Sequence, residues 1–586
     1  MKVWLSWMHN TTSMSTRAIF SFVLFVLLLF SGRALAQGLT QTVRGTIVDA
    51  DSQQPVFGAA VAVIAPSGTF SATADIDGRF SIAEVPTGRV DVRVRAIGFE
   101  EKLMTNVLVV SGKENVLTLQ LEASAAEMKV TAERPKEELR NDMATVSARR
   151  ISVEETSRIA GGINDPARMV STFPGVAGDP AGDNTIVVRG NSPKGVLWRL
   201  EGVEIPNPNH FADDGTSGGP INVLNSDMID NSEFYTGAFA AEYGNAYSAV
   251  FDMRLRDGND TKREYTLKAG VLGTDVTAEG PIKGVQGGSY LANYRYSTLA
   301  LLDQAGIVDY QGVPKYTDAA FKLKLPAGRA GTFSLWGVGG RSSITQEDRG
   351  VAEDTLFART VFGSRMGVLG ISHTRTLSAN SFVHTIASIS GNGSSTDMRE
   401  LPAPGEGELR PRFTNDNARW TVRLSSTVNT RISAAHKLRS GIILSAERYR
   451  LGAESWDPAS ARLVPELNAR GQATTVQAFT SWKWRWNEQW SLTSGVHLLH
   501  YTLNGATAVE PRAALRWQQR KDQAFTLGAG LHSRTESIMT YEVEVVDANG
   551  NTHRPNDGLG LTRAAHVVLG YERMLSADVQ VKAEAY

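Results

Sequence analysis

Cysteine is absent from the 586 residues. That excludes a disulfide framework, a thiolate metal site, a cysteine nucleophile and a lipid-modified N-terminal cysteine. An excess of either charge is missing too. Sixty Lys and Arg against 61 Asp and Glu leave a formal charge of -1, so nothing electrostatic argues for nucleic acid as a partner. The ten His are scattered, with neither H-E-x-x-H nor G-x-S-x-G, and no phosphate-cradling P-loop is present. No enzyme, catalytic residue, metal ligand or cofactor follows from such a sequence. Long apolar runs are also missing, with one exception. "AIFSFVLFVLLLF", Ala18 to Phe30, follows Lys2 and Arg17 and precedes Ala34-Leu35-Ala36. A basic lead, a short apolar stretch and an A-x-A site read as a secretory signal peptide over residues 1–36. The run falls short of the roughly 20 residues a helical span needs. An integral membrane location would therefore require a barrel, because only helices and closed barrels satisfy their backbone groups in lipid.

What is present is glycine, 55 residues of it, and alternation. Over residues 40–121, short runs such as "TVRGTIVDA", "AAVAVIA" and "RVDVRVRAIGF" are separated by Gly, Pro and Asp turns. They predict a small all-β sandwich. Asp75 and Asp77 in "ADIDGRF" read either as a tight turn or as part of a calcium loop whose further ligands are missing. Residues 122–160 are charged and short of aromatics, as in a linker. "EMKVTAE" within them is a short extended island. It fits strand addition to a partner's sheet edge, or equally a last strand of the sandwich.

Residues 161–257 predict a small α+β unit. Asp165 and Pro166 are a helix-start signal, expected to run to about Pro174-Gly175. "NTIVVRG" and "VLWRLEGVEI" are strands, and a polar, proline-broken tip follows at Asn207, Asn209, His210 and Phe211. From 258 onward the pattern is one apolar and one polar phase over strands of about ten residues, as a tilted transmembrane strand requires. In "WTVRLSSTVNTRIS", Trp420, Val422, Leu424, Val428 and Ile432 share a phase, and Thr, Arg, Ser and Asn fill the other. Trp482, Trp484 and Trp486 lie in phase next to a turn, with Trp490 beyond it, as in an interfacial girdle. The fold class expected is mainly β: a sandwich, an α+β unit and an antiparallel transmembrane barrel.

Specific motifs carry a resemblance. Gly45-x-Ile47-x-Asp49, Pro55, Gly58-Ala59, Asp75-x-Asp77-Gly78-x-Phe80, Val85-Pro86-x-Gly88 and Gly98-Phe99 together resemble the carboxypeptidase-regulatory-like domain. "VVRG" at Val187–Gly190 and "VLWRLEGVEIPNPNHF" at 196–211 resemble the plug of a TonB-dependent outer-membrane receptor. Glu201 stands where that pattern usually has Asp. "YTGAFAAEYGNAYSAVFDMRLRDG", residues 235–258, resembles the end of such a plug, and "EGPI" with "GGSYLANYRYS" the first barrel hairpins.

The resemblance implies a plug that fills a barrel lumen in the outer membrane of a Gram-negative bacterium, with the N-terminal module in the periplasm. It implies energy-coupled import of a scarce ligand such as a siderophore, glycan, cobalamin or peptide. The partners implied are the energy-transducing TonB protein, outer-membrane lipid, the ligand itself and a surface lipoprotein. Glu127, Met128, Lys129, Val130, Thr131 and Ala132 fall where the TonB box is expected. Arg189, Gly190, Glu201 and Gly202 are the plug motif, with Arg189 expected to pair with a barrel-wall carboxylate. Asn207, Asn209, His210 and Phe211 are the expected ligand-facing tip. The alternative is a surface adhesion protein that holds a glycan without transporting it. About 13 to 16 strands are expected after 258, against 22 in plugged transporters, and Tyr586 falls on the polar phase. A chain interrupted inside a strand is the expectation.

Overall fold

The computed structural model describes residues 39–124, 139–151, 165–179, 183–213, 215–270, 273–307, 312–349, 355–402, 407–547, 549–576 and 579–586. The signal peptide and the Glu127–Ala132 segment lie outside these residues.

The sandwich forms as its alternation predicts. Thr40–Asp49 lies between Arg79–Pro86 and Asn115–Leu121 in one sheet. The second sheet orders Gly68–Thr73, Ala60–Ala65, Gly88–Arg95 and Lys102–Val109. Val43, Ile47, Val61, Val63, Val92 and Leu119 close the core between them. Asp75 is a turn residue: its Oδ1 accepts from the backbone N–H of Asp77 at 2.9 Å and of Arg79 at 2.8 Å.

The α+β unit is built on a five-stranded sheet. Its order is Val203–Glu204, Val196–Leu200, Ala249–Met253, Ser232–Tyr235 and Ala148–Ile151. The last strand comes from the charged stretch expected to be linker. It is only four residues long, and the pairing of Phe234 with Arg149 across the sheet is what defines it. The predicted helix start is correct. Asp165 caps Pro166–Val170, accepting from Ala167 N–H at 2.9 Å. The helix stops at Val170, earlier than the proline signal predicts.

Beyond residue 258 the described residues form one 15-stranded antiparallel sheet in strict sequence order, from Glu264–Ala269 to Gln580–Ala585. Several strands are far longer than the expected ten residues. Leu356–Ser378 has 23 and Arg462–Arg485 has 24. About ten residues suffice to cross a bilayer, and these strands are more than twice that length. One end of the sheet has tight connections, as between Ser378 and Ser381 or Arg485 and Trp490. The other end has long ones, such as 535–561. The predicted phase holds: Trp420, Val422 and Leu424 are 48 %, 57 % and 48 % exposed on the outer face. The girdle forms as well. Trp482 and Trp484 stack at 5.5 Å, and Trp490 and Trp517 at 5.3 Å, along the tight-turn rim.

Candidate functional site

The plug motif is legible as backbone geometry. Arg189 and Gly190 have φ of 52° and 74°, and Asn191 N–H donates to Val188 C=O at 2.9 Å. Glu201 and Gly202 have φ of 51° and 90° between the paired residues Leu200 and Val203. Both dipeptides are therefore turns whose two central residues are left-handed, which is why glycine takes the second place. Each turn also fixes a charged side chain. Glu201 accepts from Leu255 N–H at 2.6 Å and from Lys322 Nζ at 3.2 Å. The longer Glu thus serves where Asp is usual. Arg189 pairs with the barrel carboxylate of Glu584, as expected, and also donates to Ser147 Oγ at 3.0 Å and Thr236 Oγ1 at 3.1 Å. Its guanidinium lies 4.2 Å from the centre of the Tyr586 ring, so Tyr586 faces inward.

The plug sits against the inner wall through two seams of different balance. The first is rich in hydrocarbon and also carries the Glu201–Lys322 and His210–Asp318 pairs, and the second is mainly polar with a small apolar cluster at Val146, Ala514 and Val568. Along strands Ser289–Tyr296 to Ser381–Glu400, wall residues Trp336, Val338, Met366, Val368 and Ile386 join Trp198, Phe251 and Met253 of the plug in one buried cluster. Along strands His436–Asp457 to Thr562–Met574 the contacts are mainly polar. Arg512 Nη1 donates to Ala240 C=O at 2.6 Å, His497 Nδ1 to Ala241 C=O at 2.8 Å, and Arg534 Nη1 to Val196 C=O at 2.8 Å. Gly244 makes this approach possible, since a Cβ there would collide with His497.

The polar seam ends at the tight-turn rim in a cluster joining all three regions. Lys437 of the wall reaches Asp51 of the sandwich at 2.9 Å, Asp142 of the plug at 3.2 Å and Glu122 at 3.6 Å. Arg439 binds Asp142 at 3.0 Å and Glu242 at 2.8 Å. Arg485 binds Glu100 at 3.1 Å and also pairs with Glu122. Burial alone would raise the Asp142 carboxyl. Arg439, Lys437 and Lys483 more than reverse this and hold it below the ordinary carboxylate range. Glu122 is lowered in the same way, with burial again opposed by Lys437 and Lys483. Asp51 goes the other way, because burial outweighs Lys437. On the far side of the rim, Arg44 of the sandwich meets Asp260 at 2.5 Å and Lys113 pairs with Glu279. The sandwich therefore spans the tight-turn mouth, and a cavity of about 1470 Å³ lies between it, the plug and the wall.

The predicted tip is placed differently from its expectation. Asn209 and His210 are buried and do not face outward. His210 Nε2 meets Asp318 of the wall at 3.0 Å, and burial, opposed by Asp318, lowers the imidazole's pKa. Asn209 accepts from Asn184 Nδ2 at 3.0 Å. Asn207 ties the loop together by donating to Gly218 C=O at 2.7 Å, and Phe211 N–H donates to Ser342 Oγ at 2.9 Å. These are struts. The reason is close approach to the wall: a Cβ at Gly340 would lie 2.7 Å from the His210 ring. The exposed part of the loop comes later, at Asp213 and Thr216. It borders a smaller cavity of about 180 Å³ on the long-loop side, together with wall residues Arg365, Arg419, Arg423, Arg534 and Glu447. Proline and asparagine spacing marked the loop but not which of its residues would meet the wall.

Comparison with known proteins agrees with this arrangement. Residues 42–122 match the carboxypeptidase regulatory-like domain, and residues 140–250 the TonB-dependent receptor plug domain. Among solved structures, a variant of the ferric enterobactin receptor of Pseudomonas aeruginosa is similar at 14 % identity and TM-score 0.52, over 73 % of this chain and 69 % of that one. The siderophore receptor PirA of Acinetobacter baumannii gives 14 % and 0.54, over 75 % and 70 %. The outer membrane transporter YddB of Escherichia coli gives 12 % and 0.54, over 75 % and 68 %. No curated protein matches the chain. The chain thus carries a carboxypeptidase regulatory-like domain and a TonB-dependent receptor plug domain, within a barrel sheet of the TonB-dependent receptor fold.

Proposed function

We propose that the chain is an outer-membrane receptor that imports a scarce ligand by energy-coupled displacement of its plug. The observation that carries this reading is the wall contact of the plug. Much of the plug's hold on the wall is polar, and its first residues, Arg140 to Asp142, lie at the tight-turn mouth. Arg140 and Asn141 both donate backbone N–H groups to Glu233, the latter at 3.1 Å. A pull on the chain just before them acts directly on the plug sheet through Ser232–Tyr235. Short turns face the periplasm in outer-membrane barrels, which puts the sandwich there and the smaller cavity on the outside. Asp213 and Thr216, with the wall arginines, are then the ligand-facing surface.

In this reading Glu127–Ala132 is the TonB box. An extended segment binds a partner edge through its backbone and tolerates varied side chains. The ligand class stays open among siderophore, glycan, cobalamin and peptide. Two of the similar structures are named for siderophores, and the regulatory-like sandwich leans by analogy toward nutrient polymers. The test uses the full chain in nanodiscs and the purified C-terminal domain of TonB. Val130→Pro removes a backbone donor and is expected to weaken binding at least tenfold, with barrel folding unchanged. Equal binding by wild type and variant would overturn the box assignment. No binding by wild type would favour an adhesion protein.

A further inference from the structure

Three large apolar side chains of the sandwich are left in the open: Phe57 at 70 %, Ile76 at 78 % and Ile97 at 92 % exposure. They come from three separate loops. The register brings those loops together, because Ala60 pairs with both Thr73 and Arg95. All three tips therefore stand at one end of the sandwich. Isolated exposed apolar residues are ordinary, but a cluster at one edge marks an interaction site.

That same end is docked on the barrel rim. Ser52 C=O accepts from Thr376 Oγ1 at 2.6 Å, Asp77 meets Gln286 at 3.5 Å, and Glu100 meets Arg485 at 3.1 Å. Each contact lies within five residues of one of the tips. Each also lies at a tight turn, and at two of the three the lipid-facing surface ends in aromatic rings. Phe333 and His373 stack at 4.2 Å near Thr376. Trp484 and Trp486, 4.9 Å apart, flank Arg485.

We infer that Phe57, Ile76 and Ile97 dock on the membrane surface next to the barrel rim, inserting into the headgroup boundary of the adjoining leaflet. The apolar belt of the barrel thereby continues onto the sandwich. Asp75, Asp77, Glu100 and Glu101 lie near the tips together with Arg79, Arg95 and Lys102, and Arg95 pairs with Glu101. The charge around the tips is therefore mixed, and the surface suited to them is zwitterionic. The inference rests on the barrel lying in a bilayer. It does not depend on what is transported.

Because the chain has no cysteine, single Cys variants take a fluorophore at one place only. Phe57→Cys, Ile76→Cys and Ile97→Cys are labelled with an environment-sensitive dye, in full chain reconstituted into zwitterionic phospholipid nanodiscs. Ser67→Cys, exposed in the turn after Ala60–Ala65, reports solvent. Val422→Cys, on the outer barrel face, reports bilayer. Quenchers attached to lipid are used at two depths. Headgroup-level quenchers are expected to quench the three tip dyes at least threefold more than the Ser67 dye, and acyl-chain quenchers to quench the Val422 dye. Quenching at Val422 together with Ser67-like behaviour at all three tips would overturn the inference while leaving the membrane barrel intact. Protection of the tips without lipid quenching would also overturn it, and would assign them to a protein partner. An unquenched Val422 would overturn the bilayer placement itself.

Discussion

The plug meets Trp336, Val338, Met366 and Val368 mainly through hydrocarbon on one side, where Lys322 and Asp318 add polar pairs with Glu201 and His210, and it meets Lys437, Arg439, His497, Arg512 and Arg534 mainly through charge and hydrogen bonds on the other. The two seams have comparable lengths of wall but different physics. Apolar burial is non-directional and scales with the area removed from water. Its loss leaves a void that the surroundings fill poorly. A polar contact trades against water, and its net worth is about 1 kcal/mol, rising to about 3 when a charge is involved. A plug held this way has one flank that resists water and one that admits it. The charged flank is the side expected to yield first.

The largest blow to this comparison would come at Trp336, which is fully buried in the apolar seam. Trp336→Ala is expected to remove about 3–5 kcal/mol. It should raise amide exchange in Val196–Leu200 and Ala249–Met253. If exchange rises only in the sandwich, the seams are not independent.

Lys437→Met comes next. It leaves Asp51, Glu122 and Asp142 without their shared cation at a buried site, which is expected to remove about 3 kcal/mol. The effect should appear as release of the sandwich, with fast exchange in Thr40–Asp49, while the plug sheet stays protected. A plug sheet that loosens equally would erase the distinction.

The smallest effect is that of pH. Asp142 and Glu122 have lowered carboxyl pKa values in the fold. Their contribution is complete above the ordinary carboxylate pKa of about 4. It is lost only as pH falls through the lower folded values. Asp51, raised by burial, gains rather than loses folded-state stability as it takes up a proton. Sandwich exchange is therefore expected to change by less than about 1 kcal/mol between pH 7 and pH 5. A sharp release in that window would mean that a histidine, not this cluster, holds the rim.

Much of the fold was legible because period-two alternation is local. Trp420, Val422 and Leu424 show their phase within five residues, and Asp165-Pro166 announces its own helix. Arg189 was legible as a wall anchor because its motif carries that role. The rest depended on distance in sequence. Lys437 meets Asp142 across 295 positions, and no local pattern couples them. Asn209 and His210 sit in a polar, proline-broken stretch that normally faces water. What brings the wall onto His210 is a glycine at 340, far along the chain, while Asn209 packs against Gly219 and Asn184. Ala148–Ile151 has too few residues, and too much charge, to announce itself as a strand before its partner is known.

Glu122 and Asp142 end at the same lysine, yet 20 residues separate them. Fully extended, that length of chain spans at most about 70 Å. With both ends pinned together it can reach no farther than half of that, about 35 Å, from the rim. An object that grips the middle of the segment within this radius does no work on the plug. Beyond it, tension loads two anchors in parallel, one on the sandwich and one on the plug. Lys437 is common to both anchors, while Arg485 also holds Glu122 and Arg439 also holds Asp142. Under the proposed function, the spacing of two carboxylates along the chain sets how far a pulling partner must draw before any force is felt.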